Sequence, residues 1–359
     1  MSPRFLSLAR ALQLPIVLLL LALALPGQAA TVFCVGTAQQ LTDALASAAA
    51  SPDPTIDIRL RSGTYTGSFD LSAQHSNQSI QLSGGWVSFL NTPCSLQFKG
   101  TSGTTLVGPA SNGTLLVEVS NAASGSTVTV SDLTVSNPNF SDIAWGACLY
   151  AGNTAGNTML LERLRMEQCH STLGPYASGF LTNSGGTLTL RNVVTVDGAA
   201  PENGGLRVAT YSAGTSYLSH ISITNTQSNN TISGLYITAD ANSTAYLSNS
   251  VIWGNNPGPD TYDVYVDGPN IHFLRVHYGS LAGIPASNDT PGMGDPGFLG
   301  VNDPHLSANS VLIDSAVANP AGGAGTLDAA GQPRTSGVAS DVGAYEVEYL
   351  FRNGFEAPP

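Results

Sequence analysis

One phrase returns along this chain every 26 to 31 residues, and few folds can accommodate it. Its first copy is Val128-Thr129-Val130-Ser131-Asp132-Leu133-Thr134-Val135. An alternating apolar pair is followed by a polar pair and then by a second alternating apolar pair. Further copies start at Met159, Leu188, Leu218, Leu247 and Ile271. Leu133, Leu164, Val193, Ile221, Ser250 and Val276 hold equivalent places. Alternation with period two marks a strand with one buried face. The polar pair interrupts the alternation, so the chain bends there. The second member of the pair is Asp132, Arg163, Asn192, His220, Asn249 or Arg275. Asn and Asp tolerate the left-handed backbone that a tight bend needs.

A third strand precedes each phrase by about a dozen residues. Its copies are Ala147-Cys148-Leu149-Tyr150, Gly179-Phe180-Leu181-Thr182, Gly205-Leu206-Arg207-Val208, Gly234-Leu235-Tyr236-Ile237 and Asp263-Val264-Tyr265-Val266. Three short strands cannot bury an inner face alone, but stacking equivalent strands in parallel buries it continuously. The pattern predicts an all-β, right-handed parallel β-helix, a three-sided solenoid. An antiparallel sandwich also has short alternating strands, yet nothing in it would make every third strand share a phrase. Solenoid ends expose unpaired strand edges. Thr37-Ala38-Gln39-Gln40 reads as a capping box opening a short helix, Leu41 to Ala50, laid over the first coil. The closing segment near Asp341–Glu346 is expected to finish the opposite end.

The first residues read as an address. Arg4 and Arg10 precede an apolar run from Leu12 to Leu25, and Gly27-Gln28-Ala29 offers small residues for cleavage. This predicts a secretory signal peptide over 1–29. The run is shorter than the roughly 20 residues a spanning helix needs, and no second long apolar run follows. The domain reading is a signal peptide (1–29), a β-helix domain (30–348) whose closing segment begins near 295, and a tail (349–359). Export to an oxidising compartment gives the four cysteines meaning. They form no CxxC pair and have no His at zinc-ligand spacing. Chain order favours Cys34–Cys94 and Cys148–Cys169 as disulfides. Buried free thiols are the other reading, because one sequence does not fix connectivity.

Only 10% of residues are charged, against about 25% in an average domain. The net charge is −12 and Lys99 is the sole lysine. Nucleic acid, held by basic residues that neutralise phosphates, is thereby excluded as an expected partner.

Asn249-Ser250-Val251-Ile252-Trp253-Gly254-Asn255 and Gly84-Gly85-Trp86 resemble signatures of bacterial secreted parallel β-helix repeat proteins. Asp303-Pro304-His305-Leu306, Ser310 to Asp314, Gly331-Gln332-Pro333-Arg334 and Asp341-Val342-Gly343-Ala344-Tyr345-Glu346 resemble the closing segment of choice-of-anchor Q domains. Those domains belong to the pectin-lyase-like superfamily. The resemblance covers roughly Val32 to Glu346. The tail Leu350-Phe351-Arg352-Asn353-Gly354-Phe355-Glu356 resembles a carboxyl-terminal tag of exported proteobacterial proteins. The resemblance implies fold and export. It does not imply an activity, because this superfamily hosts lyases, hydrolases, adhesins and structural modules.

The chemistry of the superfamily's enzymes is hard to place here. Polygalacturonase-like members carry an Asp-Asp pair, a Gly-His-Gly and an Arg-Ile-Lys, all absent from this chain. Glycoside hydrolysis ordinarily needs two carboxylates. A lyase needs a base, and Lys99 lies outside the aligned repeats, so only an arginine version stays open.

In the third strand the outward residues align as Leu149, Leu181, Arg207, Tyr236 and Tyr265, flanked on the last strand by Asp263 and Asp267. Relatives that bind polysaccharide do so along this strand. Arg207, Tyr236 and Tyr265 are therefore the candidate glycan strip, with rings on sugar and Arg207 on a carboxylate or sulfate. A ladder of stacked side chains that merely stabilises the sheet is the competing reading.

Other candidates carry less. Glu162 and Arg191 are placed to form a surface ion pair. His170, His272 and His277 read as surface or bend histidines. Asp295, Asp303 and Asp314 lack the spacing of a calcium loop, so no cofactor is expected and Ca²⁺ is a weak alternative. The resulting reading is an exported protein, secreted or in the cell envelope, non-catalytic and glycan-binding or adhesive. The alternative is a polysaccharide lyase or glycoside hydrolase working in the groove over the third strand, and a passive surface spacer is a third reading. The oligomeric state is left open.

Overall fold

The computed structural model describes residues 30–142, 146–229, 232–255, 261–290 and 294–347. The signal peptide expected over 1–29 and the tail over 349–359 lie outside the described residues. From Thr31 onward the chain forms a parallel β-solenoid with one helix near its amino end. Among the described residues no helix is long and apolar enough to cross a membrane.

A long sheet runs through two sides of the solenoid. Its central strands, Thr127–Phe140, Thr158–Ser171, Thr187–Ala200 and Thr215–Ser228, each bend partway and pair in parallel with the next coil. A second sheet of eight parallel strands forms the third side and includes Leu149–Thr154, Gly179–Ser184, Leu206–Tyr211, Ile232–Ala239 and Tyr262–Asp267. The core is built from columns of equivalent residues. Leu82, Val130, Leu161, Leu190, Leu218, Leu247 and Phe273 pair one after another and are essentially inaccessible. On the third side, Leu71, Val117, Ala151, Leu181, Val208, Ile237 and Val266 make a matching column.

The polar pair of the repeat is the bend. Asp132, Arg163, Asn192, His220, Asn249 and Arg275 all have φ between +48° and +62°. Asn and Asp suit that backbone, but Arg163, His220 and Arg275 do not, so local interactions hold them there. Arg163 Nε lies 2.7 Å from Asp132 Oδ1, one coil away, and Arg163 Nη1 lies 2.6 Å from Glu162. Arg191 Nε closes the chain of charges 2.5 Å from Glu162 Oε2. Their equivalent places in adjacent repeats suit a surface pair between Glu162 and Arg191. The structure shows a mostly buried network, because Arg163 folds over both carboxylates and removes them from water.

The helix Ala38–Ala50 starts where its cap is expected. Thr37 Oγ1 accepts from Gln40 N, and Gln40 Oε1 accepts from Gly36 N rather than from Thr37 N. Leu41, Ala44, Leu45 and Ala48 are buried, and the helix packs on the strand Phe69–Ala73.

The closing segment departs from expectation. It does not finish the far end of the solenoid but runs back along its side, across the bends. Asn249 Oδ1 accepts from Val317 N, and Asn249 Nδ2 donates to Val317 O. Asn192 Nδ2 donates to the carbonyls of Ala324 and Leu327, and Thr101 N donates to Ala329 O. Beneath it lie Val194, Val196 and Val251, outward residues that would otherwise face water. They pack against Ala329, Ala344, Tyr345, Leu306, Leu312 and Val342. This cover is the physical reason for the course of the segment. Arg334 anchors it. Its side chain is 2% exposed, pairs with Glu346, and donates to Asn192 Oδ1 at 2.8 Å and to the Gly343 and Ala344 carbonyls. Burial pushes the Glu346 carboxyl up to about 7, against the opposing pull of Arg334.

His220 is buried against Asn249, 3.2 Å from its Nδ2. Burial and then the charge of Arg334 hold its pKa well below 6.5, so it is neutral in the fold. A depressed histidine pKa stabilises fully above 6.5, and that contribution is lost as pH falls. Glu346, with its raised pKa, has the opposite slope between 4.5 and about 7, so the histidine is read from a difference between two proteins. Asn fits the same left-handed bend, as Asn192 and Asn249 show. The stability of the wild-type chain should therefore fall relative to His220→Asn as pH drops from about 7 to 5, by up to about 1.4 kcal/mol per pH unit. Denaturant unfolding at a series of pH values reads this, and parallel curves would refute it.

Candidate functional site

The third side presents its outward residues as one row, set by strand register. Asp70 pairs with Leu116, Leu116 with Tyr150, Tyr150 with Phe180, Phe180 with Arg207, Arg207 with Tyr236, and Tyr236 with Tyr265. Successive coils lie about 4.8 Å apart, so the aromatic part from Tyr150 to Tyr265 extends for about 19 Å.

Leu149 and Leu181 are not in this row. Both are fully buried and face the core. Sequence alignment slips by one residue on these strands, and a one-residue slip turns a side chain to the opposite face. Tyr150 and Phe180 take their places. The signal that fixes the register is Asn153 and Asn183, which pair across adjacent coils, with Asn153 Nδ2 donating to Asn183 Oδ1 at 3.1 Å.

Asp263 also needs correction, because it is 6% exposed and turned away from the row. Asn255 N and Nδ2 donate to its Oδ1 at 3.0 and 2.8 Å. Its carboxyl fastens the neighbouring turn, and burial raises its pKa. The pairing with the preceding coil shifts register at this point, between Ile232 and Leu235, and Asp263 turns to the Asn255 amides there. Asp267 stays exposed and pairs with Thr238, beside the row.

Arg207 is the centre of the site. Its guanidinium carbon lies 4.6 Å from the Tyr236 ring centroid, 5.1 Å from that of Tyr176 and 5.4 Å from that of Phe180. Nη1 donates to the Tyr176 hydroxyl, while Nε is buried and has no hydrogen-bond partner. Tyr150 and Phe180 are 5.8 Å apart, Tyr176 and Phe180 stack at 4.9 Å, and Tyr236 meets Tyr265 edge-on at 5.2 Å. Burial raises the Tyr176 and Tyr236 hydroxyls, against the pull of Arg207, so both stay neutral donors.

Two clefts continue the row toward the amino end. One, of about 340 Å³, is lined by Leu116, Glu118, Gly146 and Tyr150. The other lies between the helix and the first coils and is lined by Asp70, Ser72, Gln74 and Glu118. Burial raises the Asp70 carboxyl, and burial together with the Asp70 charge raises Glu118. Sequence reasoning did not find these carboxylates, because they precede the first recognisable copy of the repeat.

The other candidates have local structural duties. His170 Nε2 lies 3.3 Å from Asp197, His272 stacks on Tyr246 at 5.2 Å, and His277 stands beside Trp253 at 5.4 Å. Asp295, Asp303 and Asp314 accept backbone amides from Gly297, His305 and Ala339. Among the described residues no three His, Cys, Asp or Glu side chains are grouped to hold a metal ion. Cys34 and Cys94 are disulfide-bonded, as are Cys148 and Cys169. The first bond ties the initial strand to a hairpin, and the second lies inside the coils.

A second ring column, Tyr217, Tyr246 and His272, stacks on the long sheet, and the closing segment abuts Tyr217 at Gly322. Stacking alone therefore does not distinguish a binding face in this protein. The third side differs in the half-buried guanidinium of Arg207 among its rings and in its adjoining clefts.

No protein-family profile matches the chain, and no curated protein matches it. Among solved structures, the chain is similar to the crystal structure of pectate lyase Pel9A. The identity is 15% over 84% of this chain and 90% of that one, with a TM-score of 0.25.

The two faces of the third-side strands predict opposite outcomes on truncation. Leu181→Ala should cost about 2–5 kcal/mol as a core cavity. Phe180→Ala should cost at most about 1.5 kcal/mol, the worth of its ring contacts. Denaturant unfolding of the two variants checks the register, and equal costs would contradict it.

Proposed function

We propose that the third side binds a polysaccharide laid along the solenoid axis, one sugar ring to a coil, with Arg207 on a carboxylate or sulfate of that chain. The observation that carries this reading is Arg207 itself. It is held among three rings yet is only half-buried, and it makes no ion pair among the described residues. An acidic group on a sugar would meet the accessible part of its guanidinium with a charge-assisted bond. Tyr150, Phe180, Tyr236 and Tyr265 would present flat apolar surface to the sugar faces. Asp267 at the carboxyl end and Asp70 with Glu118 at the amino end would repel acidic groups there, so the acidic sugar is centred on Arg207. In this reading the protein is exported, acts at the cell surface or outside the cell, and binds without catalysis. The segment 1–29 and the likeness of the closing segment to choice-of-anchor Q domains support it.

A second reading is favoured by Asp70 and Glu118. Burial raises both carboxyls, and the Asp70 charge raises Glu118 further; two neighbouring carboxyls held in different environments suit an acid and a base, as glycoside hydrolysis requires. This reading makes the amino-end clefts the reacting site of a polysaccharide-cleaving enzyme.

Affinity electrophoresis through gels containing acidic or neutral polysaccharide tests the first reading. Retardation by the acidic polymer should fall at least about tenfold in Arg207→Ala, the loss of one charged contact, and by a similar factor in the double variant Tyr236→Ala with Tyr265→Ala, the loss of two ring contacts. Unchanged retardation would refute the strip. Release of new reducing ends that disappears in Glu118→Gln would establish the second reading.

A further inference from the structure

We propose that the hairpin formed by Ser79–Phe89 and Thr92–Gln97 is a prong that inserts into the interface of a lipid bilayer. It is independent of the glycan strip, and its outer part stands apart from the repeat, while Ser79–Ser83 at its root pair with the neighbouring coils. Val87 lies opposite Leu96, and Phe98 N donates to Gly85 O, so Val87, Leu96 and Phe98 share one face. Phe89, at the end of the strand, and Leu90, in the turn, add apolar surface at the tip. All four are exposed, Leu90 in the turn most of all: Leu90 is 81% exposed, Phe89 58%, Leu96 44%, and Phe98 at the base 61%.

The turn itself conflicts with its sequence. Phe89 pairs with Thr92, leaving Leu90 and Asn91 as a two-residue turn with φ of +47° and +65°. Such turns favour Asn-Gly, because both positions are left-handed. Leucine at the first position strains the backbone and exposes an apolar side chain, two costs with no return inside the fold. A local rule broken in this way points to function.

The prong is rigid. The Cys34–Cys94 disulfide ties its return strand to the first strand. Arg59 Nη1 donates to Cys94 O at 3.1 Å, and the guanidinium lies 4.3 Å over the Trp86 ring. Gly85, with φ of +75°, has no room for a Cβ, which would fall 2.0 Å from Phe98 O.

Charge selects the occupant. The chain carries 24 acidic residues, yet residues 71–117 contain none, and this stretch holds Lys99, the one lysine. Among the described residues Lys99 makes no ion pair and is exposed at the base of the prong. Elsewhere a chain of net charge −12 is repelled by an anionic membrane. Here an apolar tip with a cation behind it suits acyl boundary and lipid phosphate respectively. A second copy of the chain fits less well, because stable pairing needs roughly 1,200 Å² or more of buried surface and a two-stranded tip is narrow.

Flotation with vesicles of phosphatidylcholine, with and without phosphatidylglycerol, tests this on the oxidised, purified chain. The wild type should float with both and more with the anionic vesicles. Leu90→Asn combined with Phe89→Ser should reduce partition at least about tenfold. Lys99→Gln should remove only the gain from phosphatidylglycerol. Leu90→Asn alone should leave the thermal midpoint unchanged or higher, since Asn suits the turn, so lost flotation would not be lost folding. The proposal is overturned if the wild type does not float or if the double variant floats equally. It is also overturned if sedimentation shows a dimer abolished by the same changes without vesicle binding.

Discussion

Every coil of this solenoid is held at the height of its neighbours by backbone pairing, and that register governs all other features. A single turn of three short strands has an inner face too small to bury by itself. Stacked in parallel, equivalent positions become columns, and the column Leu82 to Phe273 is a continuous core only because no coil slips. The six left-handed bends keep that register. Each turns the chain at the same point of the repeat, and the uncharacteristic residues among them are tied in by neighbours, Arg163 by two carboxylates and His220 by Asn249.

The closing segment shows how such a scaffold acquires an outer layer. In two of the phrases the second strand is apolar on both faces, as in Val193-Val194 and Val251-Ile252-Trp253. One face feeds the core and the other needs cover. The segment supplies it, and the bend asparagines, whose side chains point outward, fasten it by backbone-like hydrogen bonds. Arg334 and Glu346 lock its end as a buried pair whose partners are mostly carbonyls and amides of the segment itself. A buried pair of this kind is weak as a source of stability but demanding in geometry, which suits a segment that must follow one path.

The closing segment does not cover the third side, and its row of rings and one arginine is the surface on which the proposed binding rests. The same register that builds the core spaces this row at one side chain per coil, which is why the proposed ligand is a periodic polymer. The prong at the second coil belongs to a different logic. It interrupts the repeat, carries no acid, and is fixed by covalent and cation–π contacts rather than by stacking.

By itself the sequence determined the repeat, its strands, its bends and the helix at the amino end, because these depend on local periodicity and on which residues tolerate a given backbone. It also placed Arg207, Tyr236 and Tyr265 together, since their strands align without ambiguity. Only the tertiary structure decided that Tyr150 and Phe180, not Leu149 and Leu181, continue that row. A period-two pattern read one residue out of step looks equally regular, and the buried Asn153–Asn183 pair breaks the tie. Asp263 was likewise withdrawn from the surface by a hydrogen bond to a turn, and Asp70 and Glu118 were brought beside the row from outside the recognisable repeats. The course of the closing segment was settled in three dimensions as well: the apolar outer face of the coils draws it along the side, and no local signal in its own residues records that attraction.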